Sequence, residues 1–247
     1  MTATQEPRPT TTPVVPGPRA VPTGPGHVPG QRGGDAPEPR VTTFDDLLVR
    51  WDDRVLEPRP WTVAQAAWLA ELSPHVPTGP ALELCCGAGQ IGLAFARRSG
   101  RALVQVDACE AAGTYARGNA YAAGVRTQVR LGRFEEVLRP GERFPLALAD
   151  PPWVRRADVA ALPGDPVTAI DGGDDGLDVA RACLVTLARH LLPGGHAVLQ
   201  LGDEEQADAL AAWRAAEGLP LREDGVRRCG DAASGGTLVH LVRLPGR

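Results

Sequence analysis

From residue 81 onward the sequence alternates short apolar runs with longer segments of helical spacing, and no other feature constrains its fold as tightly. The runs Ala81–Cys85, Ala102–Asp107, Thr127–Leu131, Phe144–Asp150 and Gly195–Leu201 read as strands. The segments Gln90–Arg98, Glu110–Ala123, Leu177–Leu192 and Glu204–Glu217 read as helices. Parallel strands need a crossover between them, usually a helix, so this alternation predicts βαβ units and a parallel sheet. The closing runs, Arg222–Arg228 and Thr237–Leu244, have no helix between them; Gly230, Gly235 and Gly236 separate them, as in an antiparallel hairpin at a sheet edge. The expected fold is α/β: a doubly wound, Rossmann-like sheet of seven strands, mostly parallel, with a C-terminal antiparallel hairpin.

The chain ahead of this core differs in kind. Residues 1–40 carry ten prolines and six glycines with almost no large apolar side chain, so they are expected to be a disordered Pro/Gly-rich tail. Residues 41–247 are the expected domain, with 41–78 as a helical lead-in and 79–247 as the α/β core. Within the lead-in, Phe44–Trp51 is expected as a short helix and Thr62–Leu72 as a longer one with Thr62 as N-cap.

Composition removes several chemistries. All 26 basic residues are arginine, so Schiff-base and lysine-nucleophile mechanisms are excluded, as is a P-loop. The chain carries a formal net charge of −4, and residues 41–247 carry −5 (22 basic, 27 acidic), a poor match for tracking nucleic-acid phosphates. The five cysteines show no C-x-x-C spacing, which predicts buried free thiols and neither a zinc site nor a disulfide framework. No apolar run is long enough to span a membrane and no apolar signal core opens the chain, so a cytoplasmic protein is expected.

Two places carry chemistry. The apolar run ending at Ala149 is closed by Asp150-Pro151-Pro152-Trp153. The prolines stop the strand because they lack an N–H and fix φ. They leave a stiff corner with one carboxylate, free carbonyls and one aromatic face, suited to gripping a planar nitrogen. Upstream, Glu83-Leu84-Cys85-Cys86-Gly87-Ala88-Gly89 joins the first strand to the first helix, where glycines allow close approach of backbone to a ligand. Asp107 ends the second strand twenty residues after Gly87, where a ribose diol would sit. Read literally, Gly87, Gly89 and Gly92 satisfy G-x-G-x-x-G, so a nicotinamide-dependent oxidoreductase competes. Glu83, expected to face the bound pyrophosphate, counts against it, and the Asp-Pro-Pro-Trp corner has no role in hydride transfer.

Together these stretches resemble a class I S-adenosylmethionine-dependent methyltransferase, nearest the HemK-type enzymes that methylate glutamine in peptide-release factors. Pro58-Arg59-Pro60-Trp61-Thr62 resembles that family's Pro-Arg-Pro-x-Thr, and Glu83 to Gly89 resembles its methionine-binding loop. Asp150 to Trp153 stands at its Asn-Pro-Pro-Tyr, and Gly172-Gly173-Asp174-Asp175-Gly176-Leu177-Asp178 resembles its Gly-Gly-x-Asp-Gly-Leu-Asp. Cys85 replaces a glycine and Arg133 an acidic residue of the pattern, and the helical substrate-recognition domain that precedes the family's fold has no expected counterpart here.

The resemblance implies S-adenosylmethionine as cofactor, held by Arg59, Thr62, Glu83, Cys85, Gly87, Gly89, Asp107, Ala108, Phe134 and Asp150. It implies an acceptor nitrogen held by Asp150, Pro151, Pro152 and Trp153, on a small molecule, peptide or protein. Asp150 in place of Asn accepts hydrogen bonds only, which suits an amine and leaves a carboxamide open. An exocyclic amine of nucleic acid is a secondary acceptor, and a non-catalytic binding protein with this fold is a further reading. Val154 to Asp175 is long enough to be a lid. The histidines read as capping or core residues.

Overall fold

A computed structural model of the chain describes residues 37–231 and 234–245. The expected tail lies almost wholly outside the described residues; Arg40, at its boundary, already opens a strand.

The lead-in departs from expectation. Instead of a helix, Arg40–Phe44 (β1) and Leu47–Trp51 (β2) form an antiparallel hairpin. Burial along β2 alternates, with Leu47, Val49 and Trp51 inside and Leu48 and Arg50 outside, a period of two that a helix cannot bury. Asp45, at φ 55°, makes the tight turn, and Asp45 and Asp46 anchor it on Arg98 and Arg97. The helix Val63–Leu72 (α1) forms as expected, but a 3-10 turn, Pro60–Thr62, leads into it. Thr62 therefore already has helical dihedrals, and its hydroxyl donates to the Arg59 carbonyl (2.8 Å) instead of capping the helix.

The α/β core follows the alternation: Ala81–Leu84 (β3), Gln90–Ser99 (α2), Leu103–Asp107 (β4), Glu110–Ala123 (α3), Thr127–Leu131 (β5), the single turn Phe134–Val137 (α4) and Phe144–Ala149 (β6). After a second single turn, Val167–Ile170 (α5), come Asp178–His190 (α6), Leu191–Leu201 (β7), Glu204–Ala216 (α7), Leu221–Gly230 (β8) and Gly235–Arg243 (β9). The seven-stranded sheet has the order β5-β4-β3-β6-β7-β9-β8, parallel from β5 to β7, with β9 and β8 antiparallel.

Both faces are covered. Ala81, Leu103, Leu146 and Leu148 pack beneath α1, α2, α3 and the hairpin, whereas Leu82, Leu84, Ala147 and Leu199 pack beneath α6 and α7. Burial on both sides is why β3 and β6 read as continuous apolar runs without alternation. The winding reverses between β3 and β6, and the crevice at their carboxyl ends is where doubly wound folds hold ligands.

Candidate active site

Strand register alone brings the two chemical stretches together. Leu84 pairs with Ala149 on one side and with Val106 on the other. Hence Cys85, Asp150 and Asp107 stand next to one another at the strand ends, although up to 65 residues separate them in sequence. Around them opens a cleft of about 220 Å³. Of the expected cofactor residues, Cys85, Gly87, Asp107, Ala108, Phe134 and Asp150 line it, joined by Pro152 from the acceptor corner.

Asp107 organises its floor. One oxygen accepts from the Gly87 N–H and the other from the Cys109 N–H, both at 2.8 Å. Burial raises its pKa, and these two donors pull in the opposite direction. Gly87 (φ 52°) turns the loop over the strand end. Cys85, at φ 57°, adopts a left-handed conformation that favours glycine, and so carries local strain. The neighbouring Cys183 thiol and then burial push its own thiol pKa up, so it is held as a neutral thiol.

Asp150 differs from Asp107. Its carboxylate makes no hydrogen bond among the described residues, and burial pushes it up to about 7. The strand end behind it is rigid: Gln65, fully buried on α1, donates to the carbonyls of Ala149 (2.9 Å) and Val198 (2.8 Å). A half-buried, unpartnered carboxylate at a strand end, facing a cleft, is available to accept from an N–H or O–H donor of a ligand.

Other expected site residues lie elsewhere. Glu83 does not face the cleft. It points beneath the loop, where Oε1 accepts from Gly92 N–H (2.8 Å) and Oε2 from Gln105 Nε2 (2.6 Å). Strand pleating is the reason, because Glu83 shares the face of Ala81 and Gln105 under α2 and α3. Burial pushes it up to about 8. Gly92 is explained by the same contact, since a Cβ there would lie 2.1 Å from Glu83 Oε2. The third glycine of the G-x-G-x-x-G pattern thus serves helix–strand packing. Gly89 (φ 86°) starts α2 behind the loop, where a Cβ would meet Gln105 and Ala116.

Arg59 binds Asp165 with one nitrogen at 2.6 and 2.7 Å from the two carboxylate oxygens, and Thr62 is buried behind it. Pro151 is buried behind Asp150. Trp153 lies over Gly202, so close that a Cβ there would stand 2.6 Å from its ring, and it lines a neighbouring cleft of about 330 Å³.

The segment after the corner is a closed loop. Val154 and Asp171 pair at its base, and Thr168 and Ala169 of α5 reach the cofactor-side cleft. The Arg59–Asp165 pair fastens this loop to the lead-in. Arg155 and Arg156 are paired with Glu205 and with Asp171 and Asp174, while Asp175 pairs with Arg181 and accepts from the Leu177 N–H. These charges are thus satisfied among the loop, α6 and α7.

Sequence reasoning missed the wall formed by Arg54, Val55 and Leu56, the segment following β2. Asp52, fully buried, fixes it by pairing with Arg54 and accepting from Tyr115 OH (2.7 Å). Its only signal in sequence was its position before Pro58-Arg59-Pro60. Gln90, the first residue of α2, was missed as well. No group of three or more potential metal ligands occurs among the described residues, and no helix there is long and apolar enough to cross a membrane.

Solved structures share this architecture. A methyltransferase from Pyrococcus furiosus superposes with a TM-score of 0.61 at 16% identity, covering 81% of this chain and 91% of its own. The N-methyltransferase NodS from Bradyrhizobium japonicum, solved with S-adenosyl-L-homocysteine, gives 0.51 at 16% identity, covering 76% and 89%. The fold is that of the class I methyltransferases.

In sequence, a release factor glutamine methyltransferase from Gloeobacter violaceus is 35% identical over 163 residues, 63% of this chain and 57% of its own length. A ribosomal protein uL3 glutamine methyltransferase from Bradyrhizobium diazoefficiens is 35% identical over 127 residues, 49% of this chain and 40% of its own. The similarity carried by short motifs therefore extends well beyond them, while the chain spans about half the length of these relatives. No protein-family model matches the chain.

Proposed function

We propose that this chain is a methyltransferase that moves the methyl group of S-adenosylmethionine to a planar nitrogen, in first place the side-chain amide of a protein. What carries the reading is one juxtaposition: a ribose-type carboxylate, Asp107, and an unpartnered carboxylate, Asp150, flank the same loop on one cleft. The relatives named for glutamine methylation favour a protein amide, and small molecules, peptides and amines remain acceptors to be tested.

The residues fit the cofactor. The cleft wall carries two carboxylates, Asp107 and Asp150, and one guanidinium, Arg54, already paired with Asp52. An acidic wall suits a sulfonium with an ammonium and opposes the pyrophosphate of a dinucleotide. When bound, the cofactor supplies an electrophilic methyl on sulfur. The chain's part is placement. Asp107 accepts from the ribose hydroxyls with the lone pairs left by Gly87 and Cys109. Phe134 offers its ring to the base. Asp150 and the Pro151 carbonyl accept from the N–H groups of the acceptor, turning its lone pair toward the methyl. With the methyl donor bound, Asp150 would disperse the positive charge developing on the acceptor nitrogen and would stand in reach to take its proton. The reaction and the chain's composition accord with a cytoplasmic location.

The test compares ligands and a variant. S-Adenosylhomocysteine at about 100 times its dissociation constant should add on the order of 2.7 kcal/mol to stability, read as a rise in melting temperature, and NAD should add none. Asp150→Ala should keep that rise and lose methyl transfer, followed as a 14 Da gain on acceptor proteins. A rise with NAD alone, or undiminished transfer by the variant, would refute the proposal.

A further inference from the structure

Gln90 is one of four described residues with a buried side-chain polar atom that has no partner, with Trp61, Gln65 and Arg181, and of these it alone lines the cleft. It is the first residue of α2 and lines the cleft, yet its Oε1 is buried and has no hydrogen-bond partner among the described residues. A buried amide oxygen left without a donor is unfavourable, and native structures rarely tolerate one without a reason. The oxygen can be located closely. It lies 4.0 Å from where a Cβ of Gly87 would be, and Val55 Cγ1 is equally near that point. Gly87 and Val55 both line the cleft, so the orphan acceptor sits at the junction of the loop and the lead-in wall.

The carboxylates nearby have other tasks. Both Glu83 oxygens are used beneath the loop, and both Asp107 oxygens take backbone N–H groups at the β4 end, their remaining lone pairs being left to the ribose. Asp150 stands on the β6 side, where the reacting nitrogen belongs. A ligand laid across the strand ends, with its ribose at Asp107 and its sulfur toward Asp150, has its amino-acid arm left to place. Among the described side chains that line the cleft on the loop side, Gln90 carries the amide oxygen without a partner.

We propose that Gln90 is a positioning residue for the amino-acid arm of the sulfonium cofactor, its side-chain oxygen accepting from the α-ammonium. The inference rests on the methyltransferase reading. A hydrogen bond to a charged donor is among the stronger ones, and here it would also relieve the orphan. It holds the arm against the loop and so fixes the rotation of the methyl toward Asp150.

Two ligands separate this role from a merely structural one. S-Adenosylhomocysteine carries the amino-acid arm; 5′-methylthioadenosine keeps the adenosine and the thioether but lacks it. Isothermal titration of the full chain should show Gln90→Leu weakening S-adenosylhomocysteine about tenfold while leaving 5′-methylthioadenosine within about twofold. Gln90→Glu, which keeps an acceptor, should bind S-adenosylhomocysteine at least as well as the wild type. The melting temperature of the ligand-free Gln90→Leu protein should not fall, because no protein partner is lost.

Equal weakening of both ligands, or of neither, overturns the inference while the methyltransferase reading stands. Silence of the wild-type protein toward both ligands overturns that reading, and the inference with it.

Discussion

At the residue scale, the same side-chain chemistry takes opposite roles according to which way the strand turns it. Glu83, one residue inside the end of β3, and Asp150, one residue beyond the end of neighbouring β6, are both carboxylates, yet Glu83 is sealed beneath the loop and Asp150 faces the cleft. Thr127, Gln105, Glu83 and Gly92 form a buried chain of hydrogen bonds across β5, β4 and β3 into α2. Glu83 therefore ties sheet to helix as a carboxyl pushed up to about 8 from an ordinary 4.5. In the unfolded chain it ionises near 4.5, while the folded chain holds its proton until about 8. The folded state thus binds more protons between those values, and stability falls as pH rises through that window. Glu83→Gln should remove part of this slope, on the order of a few kcal/mol between about pH 5 and 8 in urea denaturation. Asp150, pushed up to about 7, and Asp107, also raised by burial, contribute to the remainder. An unchanged slope in the variant would mean that Glu83 is ionised in the fold.

At the element scale, the hairpin and the loop from Val154 to Asp175 supply facing walls. The hairpin leads into Arg54 to Leu56 on one wall, and the loop brings Thr168 and Ala169 to the other. Arg59 and Asp165 join them with an ion pair that is partly exposed, so its contribution to global stability is about 1 kcal/mol or less. Its effect on the loop should be larger than on the fold. Arg59→Ala is expected to leave the melting temperature nearly unchanged, to speed tryptic cleavage at the exposed Arg156, and to raise the dissociation rate of S-adenosylhomocysteine several-fold. Asp165→Ala should match it, and the double variant should add nothing further. Additive effects would show that the two residues act separately.

At the scale of the whole molecule, the hairpin is part of the domain and not an appendage. Phe44, Leu47, Val49 and Trp51 are buried in the same cluster as α1, α2 and the sheet. We place the start of the folding unit at β1, so removing residues 1–36 should leave the melting temperature and ligand affinity unchanged. Removing residues 1–53 deletes the buried apolar side chains Phe44, Leu47, Val49 and Trp51 together with the buried Asp52, and large aromatic losses alone cost about 3–5 kcal/mol each. Against a total stability of about 5–15 kcal/mol, that chain should show no cooperative unfolding transition by circular dichroism. A cooperative transition in it would separate the hairpin from the core.

The sequence by itself determined the sheet and most of the cleft. Runs buried on both faces, as at Leu82 to Leu84 and Phe144 to Ala149, can be little other than central strands, and Asp107, Gly87 and Asp150 followed from their positions at strand ends. Only the tertiary structure decided which way each side chain points and what folds over the site. Glu83 and Asp150 look alike in sequence, but the pleat and the packing of α2 bury one and open the other. Arg59 and Asp165 meet across 106 residues, and the Gln90 oxygen comes to stand beside Val55 of the lead-in only in the folded chain. Local pattern encodes periodicity, which is a property of neighbours in sequence. Contacts between segments depend on the register and crossovers of the whole sheet, and these take shape only when the chain folds.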